Sequence, residues 1–117
     1  MSELIDIYPE ELLIKQKENV VMFDIRRPDE WETTGVIKGA IPLTFFDMFG
    51  NHDVVNWMHD FQKYVTSKNQ EFILICAHAN RTRTIGNYLI DSGYNKVSHL
   101  AGGMALWEQE NKETINI

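Results

Sequence analysis

The sequence predicts an α/β fold built around a mostly parallel sheet with helices on both faces. Strand-like and helix-like segments alternate along the whole chain, joined by short connections. Two of the strand-like runs, "VVMFDI" and "EFILIC", are continuously apolar, as strands covered on both faces are. Helix punctuation falls where it is needed, with Pro9 and Pro28 at predicted helix starts and Gly35 and Gly93 at predicted ends.

Taken in order, "ELIDI" suits a short first strand. "YPEELLIKQKEN" suits a helix with Pro9 near its first position and Glu10 and Glu11 in its first turn, where the helix dipole favours acids. "VVMFDI" is a strand ending near Asp24, and "RRPDEWETTG" a short helix started by Pro28 and stopped by Gly35. "VIKGAIPL" is a loop or short strand punctuated by Gly39 and Pro42. From Phe45 to Val65 an aromatic and methionine-rich stretch reads as helix on either side of a break at Gly50 and Asn51. "EFILIC" is the central strand, ending at Cys76. "RTRTIGNYLIDSG" is a helix with Ile85, Tyr88 and Leu89 on one face and Gly93 at its end. "KVSHL" is a last strand, "AGG" a turn and "MALWEQEN" a last helix.

A chain of 117 residues reads as one domain over 1–117, long enough to bury roughly 60 to 70% of its unfolded surface. Its longest apolar runs are too short to cross a bilayer, and the acidic N-terminus lacks the basic-then-apolar order of a secretory signal. The expected location is cytoplasmic. A net charge of -6 opposes nucleic acid as the main partner, since phosphates call for clustered Lys and Arg. With one cysteine there is no internal disulfide and no multi-cysteine zinc site. Any chemistry at Cys76 is therefore that of a lone thiol.

Ligands of open parallel sheets bind beyond the carboxyl ends of the strands, in loops that lead into helices. Cys76 stands at that point, before "AHAN" and the helix that opens at Arg81. If this loop curls around the cysteine, its amides form a nest for an anion, assisted by the helix dipole. The dipole contributes only about 0.3 to 1 kcal/mol, so a thiolate also needs positive charge from Arg81 and His78, which would favour an anionic donor as well. The alternative is a small buried hydrophobe at a strand end.

"CAHANRT" resembles the active-site loop of single-domain rhodaneses, the sulfurtransferase family, in which a short loop runs from the cysteine to Arg and Ser or Thr. "VVMFDIRRPDEW" is similar to the family's Asp-x-Arg and Pro-x-Glu-aromatic segment, "GVIKGAIPL" to its Gly-His-Ile-x-Gly-Ala segment, and "LAGGMALW" to its Leu-x-Gly-Gly-x-x-x-Trp ending. The resemblance implies a five-stranded, mostly parallel sheet and a cycle of two transfers. Cys76 attacks the outer sulfur of a small anionic donor or a protein persulfide, becomes a persulfide, and passes the sulfur to a thiol or cyanide-like acceptor. The amides of Ala77, His78, Ala79, Asn80 and Arg81 hold the persulfide's charge. No metal or organic cofactor is implied.

Four residues separate Cys76 from Arg81, whereas phosphatases of similar fold place five there to cradle a tetrahedral anion. The shorter loop favours sulfur over a phosphatase or arsenate reductase. The chain departs from the family at Ala77, where Arg is frequent, at Ala79, where Gly is frequent, and at Val36, where His is usual. "WETTG" also runs one residue longer than usual. Loss of the arginine weakens thiosulfate as donor, and Ala79 suits a positive φ less than Gly does. These departures keep a second class open, a catalytically weak rhodanese-like module that binds a protein or carries sulfur within a complex.

Asp24 and Arg26 read as structural, with Arg26 pairing Glu30 or Asp24 bonding loop amides. His52 and His59 would share a helix side but lack a third ligand for a metal, and His99 reads as a packing or hydrogen-bonding residue. Among Phe45, Phe46, Phe49, Trp57 and Phe61, part of the set is expected to border the Cys76 loop or to receive a protein partner.

Overall fold

The computed structural model describes residues 2–117. Five strands, β1 (Ile5–Ile7), β2 (Val21–Asp24), β3 (Ala40–Pro42), β4 (Phe72–Ile75) and β5 (Val97–Leu100), alternate with five helices, α1 (Pro9–Lys17), α2 (Pro28–Thr34), α3 (Val54–Phe61), α4 (Asn80–Asp91) and α5 (Gly103–Gln109). The strands form one sheet in the order β1-β5-β4-β2-β3 with every pairing parallel. The fold class expected from the alternating pattern is thus the one observed.

The continuous apolar run of β4 is explained by two cores, one on each face of the sheet. Phe72, Leu74 and the following Cys76 join Phe23, Ile25, Trp57, Phe61, Ile85 and Leu89 under α3 and α4. Ile73 and Ile75 join Met22, Leu12, Met104 and Trp107 under α1 and α5. Strand side chains alternate between faces, so Cys76, though one residue past the end of β4, continues the row that faces α4. Phe61 anchors the first core, with ring centroids 5.1 Å from Trp57 and 4.9 Å from Phe72. Burying such a ring contributes about 1.5 to 3 kcal/mol.

Three local expectations are corrected. The segment before α3 is not helical. Asp47 Oδ1 accepts the amides of Phe49 and Asn51, and Gly50 sits at φ 81°, so a side-chain-capped turn replaces the first half of the expected helix. His52 therefore lies outside α3, stacked on Phe45 with centroids 5.3 Å apart, and the shared helix side with His59 does not exist. On α4 the buried face is Thr82, Ile85, Gly86 and Leu89, whereas Tyr88 is exposed. Gly86 belongs to that face because Leu4 packs where a Cβ would sit. Val36, at the usual histidine position, is buried and bridges Ile115 through two backbone hydrogen bonds of 2.8 Å, which an apolar side chain suits.

No helix among the described residues is long and apolar enough to cross a membrane.

Candidate active site

The carboxyl ends of β2 and β4 converge on Cys76. The Ile25 amide donates to the Ile75 carbonyl at 3.0 Å, and Phe45 donates to Ile25 at 3.1 Å, so the segments after β2, β3 and β4 run side by side beyond the sheet. From Cys76 the chain turns through Ala77, His78 and Ala79 into the first turn of α4 at Asn80. Ala79 makes the turn at φ 67°, ψ 11°, the left-handed conformation anticipated for glycine at this position. The loop curls despite the missing glycine. His78 and Asn80 are exposed, Ala77 is half-buried and Ala79 is buried.

A second brace comes from α5. Gly102 and Gly103 both have positive φ, and a Cβ on Gly103 would lie 2.5 Å from the carbonyl oxygens of Cys76 and Ala77. That close approach lets Met104 donate to the Cys76 carbonyl at 2.8 Å and Ala105 to the Ala77 carbonyl at 3.0 Å. The loop carbonyls are thereby turned toward α5. Among the described residues, no protein acceptor receives the backbone amides of 77–81.

Two arginines hold the walls. Asp24 accepts the Arg26 backbone amide at 3.2 Å, the loop-amide bond read from the sequence, while the other expected pair, Arg26 with Glu30, does not form. Arg26 is buried and forks onto Asp24 at 2.9 and 2.8 Å, with Thr34 Oγ1 and the Gly35 carbonyl accepting two of its other protons. Glu30, expected as a partner of Arg26, instead receives Arg81 in a two-pronged contact of 2.8 and 2.8 Å. The Arg81 guanidinium holds the Glu30 carboxyl below the usual carboxylate range, and Glu30 raises Arg81 in return. Arg81 so fastens the start of α4 to α2, with its charge largely neutralised. Beside the loop lies a hollow of about 270 Å³ whose lining includes Ala77 and His78 together with Asp29, Glu30 and Glu108. The larger cleft, about 640 Å³ at the amino ends of β2 and β3, contains no cysteine or histidine and lies away from Cys76.

The thiol itself is 1% exposed. Its Sγ lies 3.6 Å from Thr82 Oγ1, Thr82 Oγ1 lies 2.7 Å from His99 Nδ1, and His99 Nε2 lies 2.5 Å from Asp6 Oδ1. Burial pushes the His99 imidazole below its usual value against the opposing pull of Asp6.

The rhodanese-like domain family matches residues 9–110. The chain belongs to the rhodanese-like family. A relative from Pseudomonas entomophila, the thiosulfate sulfurtransferase GlpE, is 30% identical over 92% of this chain and 87% of its own. Among solved structures, the polysulfide-sulfur transferase homodimer of Wolinella succinogenes superposes with a TM-score of 0.72 at 18% identity, covering 97% of this chain and 80% of that one. A rhodanese-like domain protein from Staphylococcus aureus gives 0.68 at 24% identity, covering 96% and 99%. At these identities the solved structures speak to the fold.

In this rhodanese-like chain, sequence reasoning brought Cys76, the loop 77–81, Asp24, Arg26 and Glu30 together. It had Thr82 only as the last residue of the matched loop "CAHANRT", missed Asp6, and gave His99 only a general packing or hydrogen-bonding role. The available signal was the pair of polar residues in short strands, Asp6 in "ELIDI" and His99 in "KVSHL". Of the five aromatic residues, Trp57 and Phe61 are in the core that includes Cys76, Phe45 and Phe46 pack onto it half-buried, and Phe49 is exposed with Met48 and Val55.

Proposed function

We propose that this rhodanese-like chain acts as one unit that takes a sulfane sulfur onto Cys76 and passes it to a nucleophilic acceptor. The supporting observation is the position of Cys76 Sγ at the carboxyl end of β4, within a curled loop whose amides have no protein acceptor among the described residues. The Cys76 thiolate attacks the donor's outer sulfur. An Sγ–S bond forms as the donor's S–S bond breaks, and sulfite leaves from thiosulfate, a thiolate from a persulfide, or a polysulfide one sulfur shorter from a polysulfide. In this reading the amides of Ala77, His78, Ala79, Asn80 and Arg81 hold the resulting persulfide anion, a case of preorganised dipoles acting where charge develops. A thiolate or cyanide acceptor then takes the outer sulfur, and Cys76 departs as thiolate.

The charges near the loop favour a persulfide over thiosulfate as donor. Arg81 is neutralised by Glu30, Ala77 supplies no cation, and in the adjoining hollow three carboxylates outnumber Arg26, which is itself paired with Asp24. The same pairing argues against a phosphatase or arsenate reductase, in which the arginine must be free to grip a tetrahedral anion. The near-complete burial of Cys76 supports a second reading, a sulfur-carrying or protein-binding module that opens only on a partner.

Intact mass after exposure to thiosulfate and, separately, to polysulfide separates the readings, with Cys76→Ser alongside. The expected result is one added sulfur on the unsubstituted chain, absent from the variant and removed by cyanide. Cyanide reversal matters because a sulfinic acid has nearly the same added mass and resists mild reduction. Loading that persists in Cys76→Ser sinks the first reading. A folded chain that neither donor loads favours the second.

A further inference from the structure

We propose that His99, held by Asp6, is a positioning residue that aims the Thr82 hydroxyl at the Cys76 sulfur and receives the cysteine proton through it.

The four side chains come from four segments that the fold brings to one face. Asp6 and His99 are register partners across the β1–β5 pair, and Leu74 pairs with His99 across β5 and β4. Register partners in a parallel sheet point to the same side, and Cys76, two residues beyond Leu74, continues that side. Thr82 descends from the buried face of α4 between the imidazole and the sulfur. The result is a chain of contacts of 2.5, 2.7 and 3.6 Å running from Asp6 to Cys76.

Donor and acceptor capacity fixes its direction. An ionised carboxylate only accepts, so His99 Nε2 carries a proton toward Asp6. In the neutral ring Nδ1 is then an acceptor, and the single proton of Thr82 goes to it. The Thr82 oxygen is left to accept from the Cys76 thiol. Before Cys76 attacks an electrophile, its S–H bond breaks as an O–H bond forms on Thr82, and the Thr82 proton moves to His99 Nδ1. The products are a thiolate, an unchanged threonine and an imidazolium paired with Asp6, with no oxidant or reductant required. The hydroxyl now points its proton at sulfur, which suits the thiolate or a persulfide.

The charged surroundings of His99 come from two elements besides its own strand. Asp6 of β1 is half-exposed and favours the imidazolium, while Arg83 of α4 opposes it from a position 3.8 Å from the same carboxylate. The imidazole itself is completely buried, with its two ring nitrogens committed to Asp6 and Thr82. Asp6 thus gives the buried chain a wetted outer end.

The inference rests on Cys76 being the sulfur carrier, yet it is testable without any sulfur donor. The rate of Cys76 alkylation by iodoacetamide is measured from pH 5 to 9 in the unsubstituted chain, Thr82→Ser, Thr82→Val and His99→Asn, each confirmed folded by its amide spectrum. In the unsubstituted chain the rate should rise with the deprotonation of His99, followed by ring nitrogen resonances, and then level off. Asn keeps a hydrogen-bonding group where Nδ1 stood but takes no proton. His99→Asn and Thr82→Val should therefore lose the plateau and climb roughly tenfold per pH unit, as a thiol with no base nearby does. Thr82→Ser should restore the plateau. Profiles that match across all four proteins overturn the proposal, as does a rate that is flat with pH. A neutral His99 ring carrying its proton on Nδ1 overturns it too. Failure to load thiosulfate would count against the sulfur-carrier reading and leave these outcomes unaffected.

Discussion

Ala79 shows what a single side chain costs at a loop that must curl. It adopts φ 67° where glycine would do so freely. A left-handed conformation costs a non-glycine residue about 1 to 2 kcal/mol, while glycine loses about 0.5 to 1 kcal/mol more than alanine on ordering. Ala79→Gly should accordingly raise stability by up to about 1 kcal/mol, measured by urea unfolding, and leave the hydrogen bonds from Met104 and Ala105 to the loop in place. A loss of stability would show that the alanine methyl contributes packing that outweighs the strain. Cys76 and Arg81 were legible at this scale because spacing along a loop is local. The pairing of Arg81 with Glu30 was not, since the partners are 51 positions apart and the nearby Arg26 offered a plausible local alternative. Asp6 and His99, 93 positions apart, were less legible still.

Between elements, α5 shapes the site through the absence of a side chain. The Gly103 Cα approaches the Cys76 and Ala77 carbonyls so closely that a methyl group there would have to displace backbone. Its φ of 60° adds strain for any replacement. Left-handed strain of about 1 to 2 kcal/mol and an overpacking penalty of about 1 to 3 kcal/mol put Gly103→Ala at roughly 2 to 5 kcal/mol less stable. Amide shifts should move at residues 76–79 and at 104 and 105, where the two hydrogen bonds lie, and stay fixed in β1. Unchanged stability would mean that α5 slides away without consequence. The glycine pair was readable in "LAGGMALW", although its purpose was not, because the approach of α5 to the β4 loop is a tertiary fact. The aromatic stretch before α3 failed for the opposite reason. Its apolar content suggested helix, but the short polar side chain of Asp47 captured two nearby amides and gave the backbone another conformation.

At the scale of the whole molecule, the strand order converts scattered residues into a site. Alternation along the sequence predicts parallel strands, yet it does not say that β1 lies beside β5, and only that adjacency joins Asp6 to His99. The same architecture makes stability respond to acid in two separable ranges. His99 is held neutral by burial, so its folded midpoint lies below the ordinary value of 6.5. As pH falls from about 6.5 toward that midpoint the unfolded chain binds more protons, and stability declines. Glu30 has a folded midpoint below the ordinary 4.5 because of Arg81, so its contribution is present above that value and is lost as pH falls through the lowered midpoint. Asp29 and Asp47, lowered by Arg27 and by the Asn51 amide, act in the same lower range and the same direction. Urea unfolding between pH 3 and 7.5 should therefore show stability falling in an upper and a lower step. His99→Asn should flatten the upper step and keep the lower one, and Glu30→Gln should weaken the lower step and spare the upper. An upper step that survives His99→Asn would assign that loss to another group and show that burial does not hold this imidazole neutral.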